Sequence, residues 1–371
     1  MTGKQLCLAG ILVLAASLAS GAEPQIVLGV VGDSLSDEYA EDDYPYARNW
    51  VEQLAEAGIT DVGRTAAEAG LSDWGDTRRS GYEYNWAFSG ADTGDLAGQV
   101  AGLVPQVAAE GITHIVGLIG ANDFDPMPGG SYWDIYYDNL SAAEIETVIS
   151  DRLTAATSAM QSLKATGAKV AWGNVPDYGI APTTQSFYTD PVKREKVTTV
   201  IREVNDRLAD AALAEGIPLV DVLGLTKVVF GENASPNSTL LLGNVELKLL
   251  ESDTLTNTNP TAAFVHDGEH VHTTIQGALG SLFMEAFNVG YGDNISLFSE
   301  EEILDHAGIP YGGQDTLFSD IGASGYSDFV LIPEPSLLIP EPSTICMLAA
   351  AGLLLLAAGF CRGLRGKTAA L

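Results

Sequence analysis

The stretch that decides the fold is Gln25-Ile26-Val27-Leu28-Gly29-Val30-Val31-Gly32-Asp33-Ser34-Leu35-Ser36. Residues 25–31 are apolar and rich in β-branched side chains, with no alternation between polar and apolar positions. That pattern belongs to a strand buried on both faces, as in a parallel sheet. The run stops at Gly32, and Ser34 follows where a tight turn presents its hydroxyl at the carboxyl end of the strand. In open α/β sheets this is where ligands bind.

Outward from this run the same signals recur. Residues 114–119 (HIVGLI) and 169–175 read as further buried strands, 218–222 as another, and 84–88 as a candidate fifth. Helical spacing occupies 46–58, 95–109, 141–167, 190–216 and 274–287 between and after them. Alternation of this kind predicts βαβ units. The expected architecture is α/β: a three-layer α/β/α sandwich around a mostly parallel five-stranded sheet, flavodoxin-like, over residues 23–295. Residues 296–330 lack a strong period and are rich in Gly, Asp and Ser, so 296–332 is expected to be an extension or stalk.

Both ends read as targeting segments. Lys4, the apolar run 6–18 and Ser20-Gly21-Ala22 predict a signal peptide over residues 1–22. Residues 344–360 are an apolar stretch of 17, followed by Arg362, Arg365 and Lys367. That length barely spans a bilayer, and the basic flank predicts a cytoplasmic C-terminus. Cys7, Cys346 and Cys361 all fall in these ends, so the body between them has no thiol chemistry and no internal disulfide. The chain carries 18 Lys and Arg against 49 Asp and Glu, a net charge of −31, which disfavours nucleic acid and anionic lipid.

Polar groups follow several of the sheet elements. Phe88-Ser89-Gly90-Ala91 follows the candidate strand at 84–88, Gly120-Ala121-Asn122-Asp123 follows HIVGLI, and Asp267-Gly268-Glu269-His270 precedes the last helix. Singly each is an ordinary loop. Together they supply a hydroxyl, a close backbone N–H, an amide donor and an acid–base pair at one crevice. Three histidines, His266, His270 and His272, lie within seven residues, and Glu269 to His272 repeats the acid-to-base spacing. Asp-Gly before the motif and Thr273-Thr274 after it favour His270. The alternatives for His266 and His272 are to flank the pocket or to chelate a metal with Asp267.

At these residues the chain resembles the SGNH (GDSL-type) hydrolases. Gly32-Asp33-Ser34-Leu35-Ser36 resembles the family's first block, the segment 85–91 its second, Gly120-Ala121-Asn122-Asp123 its third, and Asp267-Gly268-Glu269-His270 its Asp-x-x-His block. The family's usual Pro after the histidine is Val271 here. The resemblance implies a cofactor-free serine esterase with Ser34 as nucleophile, His270 as base and Asp267 as its orienting acid. It also implies an oxyanion hole from Ser34 N–H, Gly90 N–H and the Asn122 amide. An α/β-hydrolase elbow is disfavoured, because position 36 is Ser and the acid stands only three residues before the histidine.

The tail, with Pro340-Glu341-Pro342-Ser343 and an upstream copy at Pro333-Glu334-Pro335-Ser336, resembles the PEP-CTERM sorting signal of Gram-negative bacteria. It implies processing by an exosortase-type protease, transient attachment to the inner membrane, and a final place in the periplasm, cell surface or matrix. A plain C-terminal anchor is the alternative. The aromatic stretch 124–139 is expected to overhang the crevice, with Tyr132, Trp133 and Tyr136 (and Tyr137 beside them) offering faces for sugar rings or else packing beneath the loop. Acylated extracellular polysaccharide, short acyl groups above all, is the expected substrate. A lipase or phospholipase, or a non-catalytic matrix protein on the same scaffold, are the competing expectations.

Overall fold

Strand β1 (Ile26–Gly32) lies inside a six-stranded sheet, buried along almost its whole length. The computed structural model describes residues 25–41, 44–75, 80–231 and 237–333. The expected signal peptide, the apolar stretch 344–360, the cysteines and all of the Pro-Glu-Pro motifs except Pro333 lie outside the described residues. Among those described, no helix is long and apolar enough to cross a membrane.

After β1 come α1 (Trp50–Glu56), β2 (Thr60–Asp61), α2 (Leu96–Glu110), β3 (His114–Leu118), α3 (Ser131–Tyr136), α4 (Ala142–Lys164) and β4 (Lys169–Gly173). Then follow α5 (Pro182–Phe187), α6 (Pro191–Ala214), β5 (Leu219–Val220), α7 (Val222–Phe230), β6 (Thr239–Leu242), β7 (Val245–Ser252) and β8 (Ala262–Phe264). The chain continues through α8 (Thr273–Tyr291), α9 (Glu300–His306), α10 (Leu317–Ile321) and β9 (Val330–Leu331). The main sheet runs β2-β1-β3-β4-β5-β9, parallel throughout except for β9. Helices α2, α4 and α6 pack together against one another and the sheet, while α1 and α8 pair with each other and α8 covers β4 and β5. This is the three-layer α/β/α sandwich.

Local chemistry explains where the helices begin. Asn49 caps α1 reciprocally with Glu52, and Ser141 caps α4 with Glu144. Asp190 and Pro191 start α6, with the proline where its missing N–H is harmless.

The structure differs from the sequence expectation in three places. Residues 84–88 form no strand. Only one parallel bridge, Val30 to Asn85, joins them to β1, because the Asn85 side chain accepts the Ala87 N–H and turns the chain away. The edge strand is instead β2. A second, three-stranded sheet, β6-β7-β8, was not expected. Finally, 296–332 is no stalk: Phe298, Ile303, Leu304, Leu317, Tyr326 and Phe329 are buried in the main core, and β9 extends the sheet antiparallel to β5. The described residues from Gln25 to Ile332 form one compact unit.

Burial of carboxyl groups beside the β1 turn shapes the stability of this body. Glu38 accepts the Tyr82 N–H at 2.8 Å, and Glu52 accepts the N–H groups of Asn49, Tyr39 and Ala40. Desolvation, with the charge of Asp37 second, pushes Glu38 up to about 8, and desolvation pushes Glu52 up to about 7. An acid whose folded pKa is raised binds a proton that the unfolded chain has already released. Stability is therefore expected to fall as pH rises from the ordinary value of 4.5 towards about 8. Thermal melting across that range should show the decline, and Glu38→Gln, which keeps a carbonyl for Tyr82, should flatten it and melt higher than the parent at about pH 8. A parent melting temperature that rises steadily with pH would contradict this account.

Candidate active site

The turn after β1 is built to hold Ser34 at the sheet edge. A Cβ on Gly32 would stand 2.4 Å from the Leu118 carbonyl oxygen, so only glycine allows β1 and β3 this approach. The Asp33 N–H donates to that same oxygen at 3.2 Å. Inside the turn the Asp33 carboxylate accepts the N–H groups of Leu35 and Ala121, tying the nucleophile turn to the loop after β3. Desolvation pushes the fully buried Asp33 up to about 6 against those hydrogen bonds.

His270 reaches Ser34 from the opposite side of the sequence. Between β8 and α8 the chain makes a tight loop in which Val265 N–H donates to His270 O and His272 N–H to Ala263 O. Asp267 Oδ1 accepts the N–H groups of Glu269 and His270 at 2.8 and 3.1 Å, an Asx turn that fixes acid and base three residues apart. Gly268 takes φ +70° within it. The result is a continuous chain: Ser34 Oγ to His270 Nε2 at 2.7 Å, and His270 Nδ1 to Asp267 Oδ2 at 2.6 Å.

Electrostatics suit a base. Burial opposes the imidazolium, but the hydrogen bond and charge of Asp267, aided by Glu269 and Asp33, outweigh it and hold His270 above its ordinary value. Burial likewise opposes ionisation of Asp267, and His270, the Glu269 N–H and the Tyr44 hydroxyl outweigh it in the other direction. Tyr44, which the sequence did not single out, donates to Asp267 Oδ2 at 2.7 Å from the loop before α1. Nothing in its local sequence marks it, since the contact spans 223 residues.

The other two sequence motifs converge on the same edge. Ser89 N–H donates to Asp37 Oδ2 at 2.7 Å, Phe88 N–H to Gly32 O at 3.4 Å, and Asn122 Nδ2 to Ala91 O at 2.8 Å. Tyr178, also missed, donates to Asn122 Oδ1 at 3.4 Å and orients the amide. Gly90 sits at φ +82°, a left-handed conformation that turns its backbone at this point. Among the described residues no protein acceptor takes the N–H of Ser34 or of Gly90. These donors are available to an incoming oxygen.

The remaining histidines take separate partners. His266 Nδ1 lies 3.0 Å from the Tyr46 hydroxyl, and His272, 1% exposed, pairs with the fully buried Asp253 and caps α8 through its Nδ1. Glu269 therefore does not orient His272. Among the described residues no cluster of His, Cys, Asp and Glu is arranged to hold a metal.

One expectation is corrected. Tyr132, Trp133 and Tyr136 do not face the crevice as a sugar platform. Tyr132 and Tyr136 are buried with Phe124 and Tyr188, their rings edge-on to Tyr188, and Trp133 packs against this cluster. Helix α3 turns them inward to cover α6. What opens at Ser34 and His270 instead is a cavity of about 110 Å³.

The sequence profile described as the GDSL-like lipase/acylhydrolase family matches residues 30–243, which include Ser34, Gly90 and Asn122 and end before Asp267. No curated protein matches the chain. Among solved structures, an acylhydrolase of Bacteroides fragilis is 14% identical, covers 73% of this chain and 92% of its own, and gives a TM-score of 0.40. An acetylxylan esterase of Geobacillus stearothermophilus, a catalytic mutant, is 15% identical, with 75% and 99% covered and a TM-score of 0.38.

The raised pKa of His270 fixes a direction for pH dependence. A base acts only when neutral, so kcat/KM is expected to fall about tenfold per pH unit on the acid side, with its midpoint above the ordinary 6.5. Asp267→Asn removes the anion that raises it. That variant should lose activity by a factor on the order of 10⁴, with the residual activity showing a lower midpoint. A midpoint below 6.5 in the parent would be inconsistent with the Asp267–His270 coupling.

Proposed function

The chain belongs to the GDSL-like lipase/acylhydrolase family, and from that premise we propose that it hydrolyses carboxylic esters through an acyl-enzyme on Ser34. The observation that carries this is the hydrogen-bonded run Ser34–His270–Asp267, at 2.7 and 2.6 Å. His270 Nε2 takes the Oγ proton as Ser34 attacks the carbonyl carbon, and the carbonyl electron pair moves onto oxygen. The oxyanion meets the N–H groups of Ser34 and Gly90 and the second hydrogen of Asn122 Nδ2. Each such donor is worth on the order of 10²–10³ in turnover. Collapse breaks the bond to the alcohol oxygen, which leaves with the proton from His270. Water then repeats the sequence on the acyl-enzyme, with His270 again the base, and releases the acid. Asp267 holds Nδ1–H throughout and stabilises the imidazolium.

Deacetylation of polysaccharide rested on the expected export, the anionic surface and the aromatic loop, and the loop no longer supports it, because Tyr132 and Tyr136 are buried and Trp133 packs partly buried against them. A non-catalytic scaffold is disfavoured by the hydrogen-bonded triad and the open donors beside it.

Purified full-length protein is expected to hydrolyse p-nitrophenyl esters, and Ser34→Ala to reduce the rate by at least about 10⁴. Stoichiometric labelling of Ser34 by an alkyl fluorophosphonate, absent in the variant, is the matching readout. Equal rates in parent and variant would move the nucleophile elsewhere.

The proposal extends to location, from the sequence of the ends alone. The body is exported, held briefly at the inner membrane by residues 344–360, and released by an exosortase-type protease at a Pro-Glu-Pro site. Mass spectrometry of the exported protein is expected to find an N-terminus near residue 23 and no peptide beyond residue 343. Recovery of intact residues 344–371 outside the cytoplasm would favour a plain anchor.

A further inference from the structure

The cavity at Ser34 is apolar far beyond what the triad needs. From the catalytic edge it is lined by Ser34, Leu35, His270 and Val271. The rest of the lining comes from elements that make no part of the catalytic loops: Leu225 and Val229 of α7, Leu240 and Leu247 of the small sheet, and Ile275 and Ala278 of α8. Leu317 and Tyr326 of the C-terminal extension close it further. Ile275 and Ala278 lie at helical spacing on one face of α8, with Val271 just before it, and Leu225 and Val229 do so on α7.

Val271, Ile275, Ala278 and Leu225 are only partly buried, although each belongs to the same deep lining. Apolar surface left uncovered inside a body is a loss of stability that packing ordinarily removes. Here it lies against a nucleophile. The charged groups near it give no grip for a charged ligand, because Asp177 and Lys227 are spent on each other at 2.6 Å and buried to 2% and 6% exposure. Glu269, beside His270 in the lining, disfavours an anionic one.

We infer that this cavity is the acyl-chain site, and that the substrates are esters of uncharged, medium-length acyl groups rather than acetyl. The inference rests on the esterase reading above and adds the acyl half of the substrate. The 110 Å³ cavity is several times the roughly 10–15 Å³ that a single small group needs, so it takes an alkyl chain longer than that of acetyl. With the carbonyl carbon at Ser34 Oγ, the alkyl tail enters between α7 and α8, and the alcohol stays on the open side. The small sheet, which was not expected, and the extension, which was expected to stand apart as a stalk, have their function as the far walls.

The test is kcat/KM of the full-length protein for p-nitrophenyl acetate, butyrate, octanoate and dodecanoate, with Ala278→Phe and Leu225→Trp alongside. Octanoate is expected to exceed acetate by about tenfold or more, as burial of added methylenes requires. Both variants, which put a ring into the cavity, should lower the octanoate-to-acetate ratio by about tenfold. A parent that prefers acetate, with Ser34→Ala inactive, overturns the acyl site and leaves the esterase reading standing. Absence of turnover and of Ser34 labelling in the parent overturns both. If one variant misfolds, the parent profile and the other variant still decide, and an octanoate preference unmoved by a folded variant places the chain elsewhere.

Discussion

The site depends on the register of two parallel strands. β1 and β3 pair from Leu28–His114 to Gly32–Leu118, so both end at the same level and their following loops leave the sheet side by side. At the end of the pair a Cβ on Gly32 would meet the Leu118 carbonyl oxygen, and the Asp33 N–H donates to that oxygen. A slip of one residue would reverse the face of every side chain on β1. It would also remove Ser34 from the loop carrying Asn122. Gly32 is thus required by backbone approach rather than by chemistry, and Asp33, whose carboxylate joins the two loops, by what it holds rather than by its charge.

Carboxylates serve as backbone clamps in several places around this edge. Asp33, Asp37, Glu38, Glu52 and Asp267 each accept at least one main-chain N–H, and most are buried. An acceptor with two oxygens can fix two strands of loop at once, which an apolar side chain cannot do. The drawback is desolvation, visible in the raised values of Asp33, Glu38 and Glu52. At Asp267 the same desolvation is outweighed, chiefly by the histidine at its other oxygen. The same pairing recurs away from the chemistry at Asp253–His272, where it anchors the catalytic loop to the small sheet, and at Asp177–Lys227.

What the sequence made legible is what is local. The strand β1 is a continuous apolar run, the nucleophile follows it directly, and the acid and base share one turn, so their spacing survives folding. The same logic made the helices readable from the apolar spacing along each one. Tyr44 and Tyr178 reach the site across long sequence separations, and neither has a pattern of its own. Residues 84–88 had strand composition but lost the ladder to a side-chain turn at Asn85. The extension lacked period because its buried residues, Phe298 through Phe329, dock singly from short helices onto α8 and β5 instead of forming an amphipathic element. The ends, and with them the export expectation, fall outside the described residues.

Ser34 stands where two kinds of surface meet. On one side are donors and paired charges from the strand ends, and on the other an aliphatic cavity. The two are not independent. In an apolar surround a charge pair interacts more strongly than in water, and an unpaired charge is more strongly disfavoured. The imidazolium that forms on His270 during turnover is tolerated there because Asp267 is already oriented and itself held by two N–H groups and Tyr44. An apolar group filling the cavity would displace water from the Ser34 side of the ring without touching those contacts. Occupancy of the cavity would therefore strengthen the electrostatic stabilisation it adjoins, so that substrate fit and proton transfer are coupled through the dielectric around one histidine.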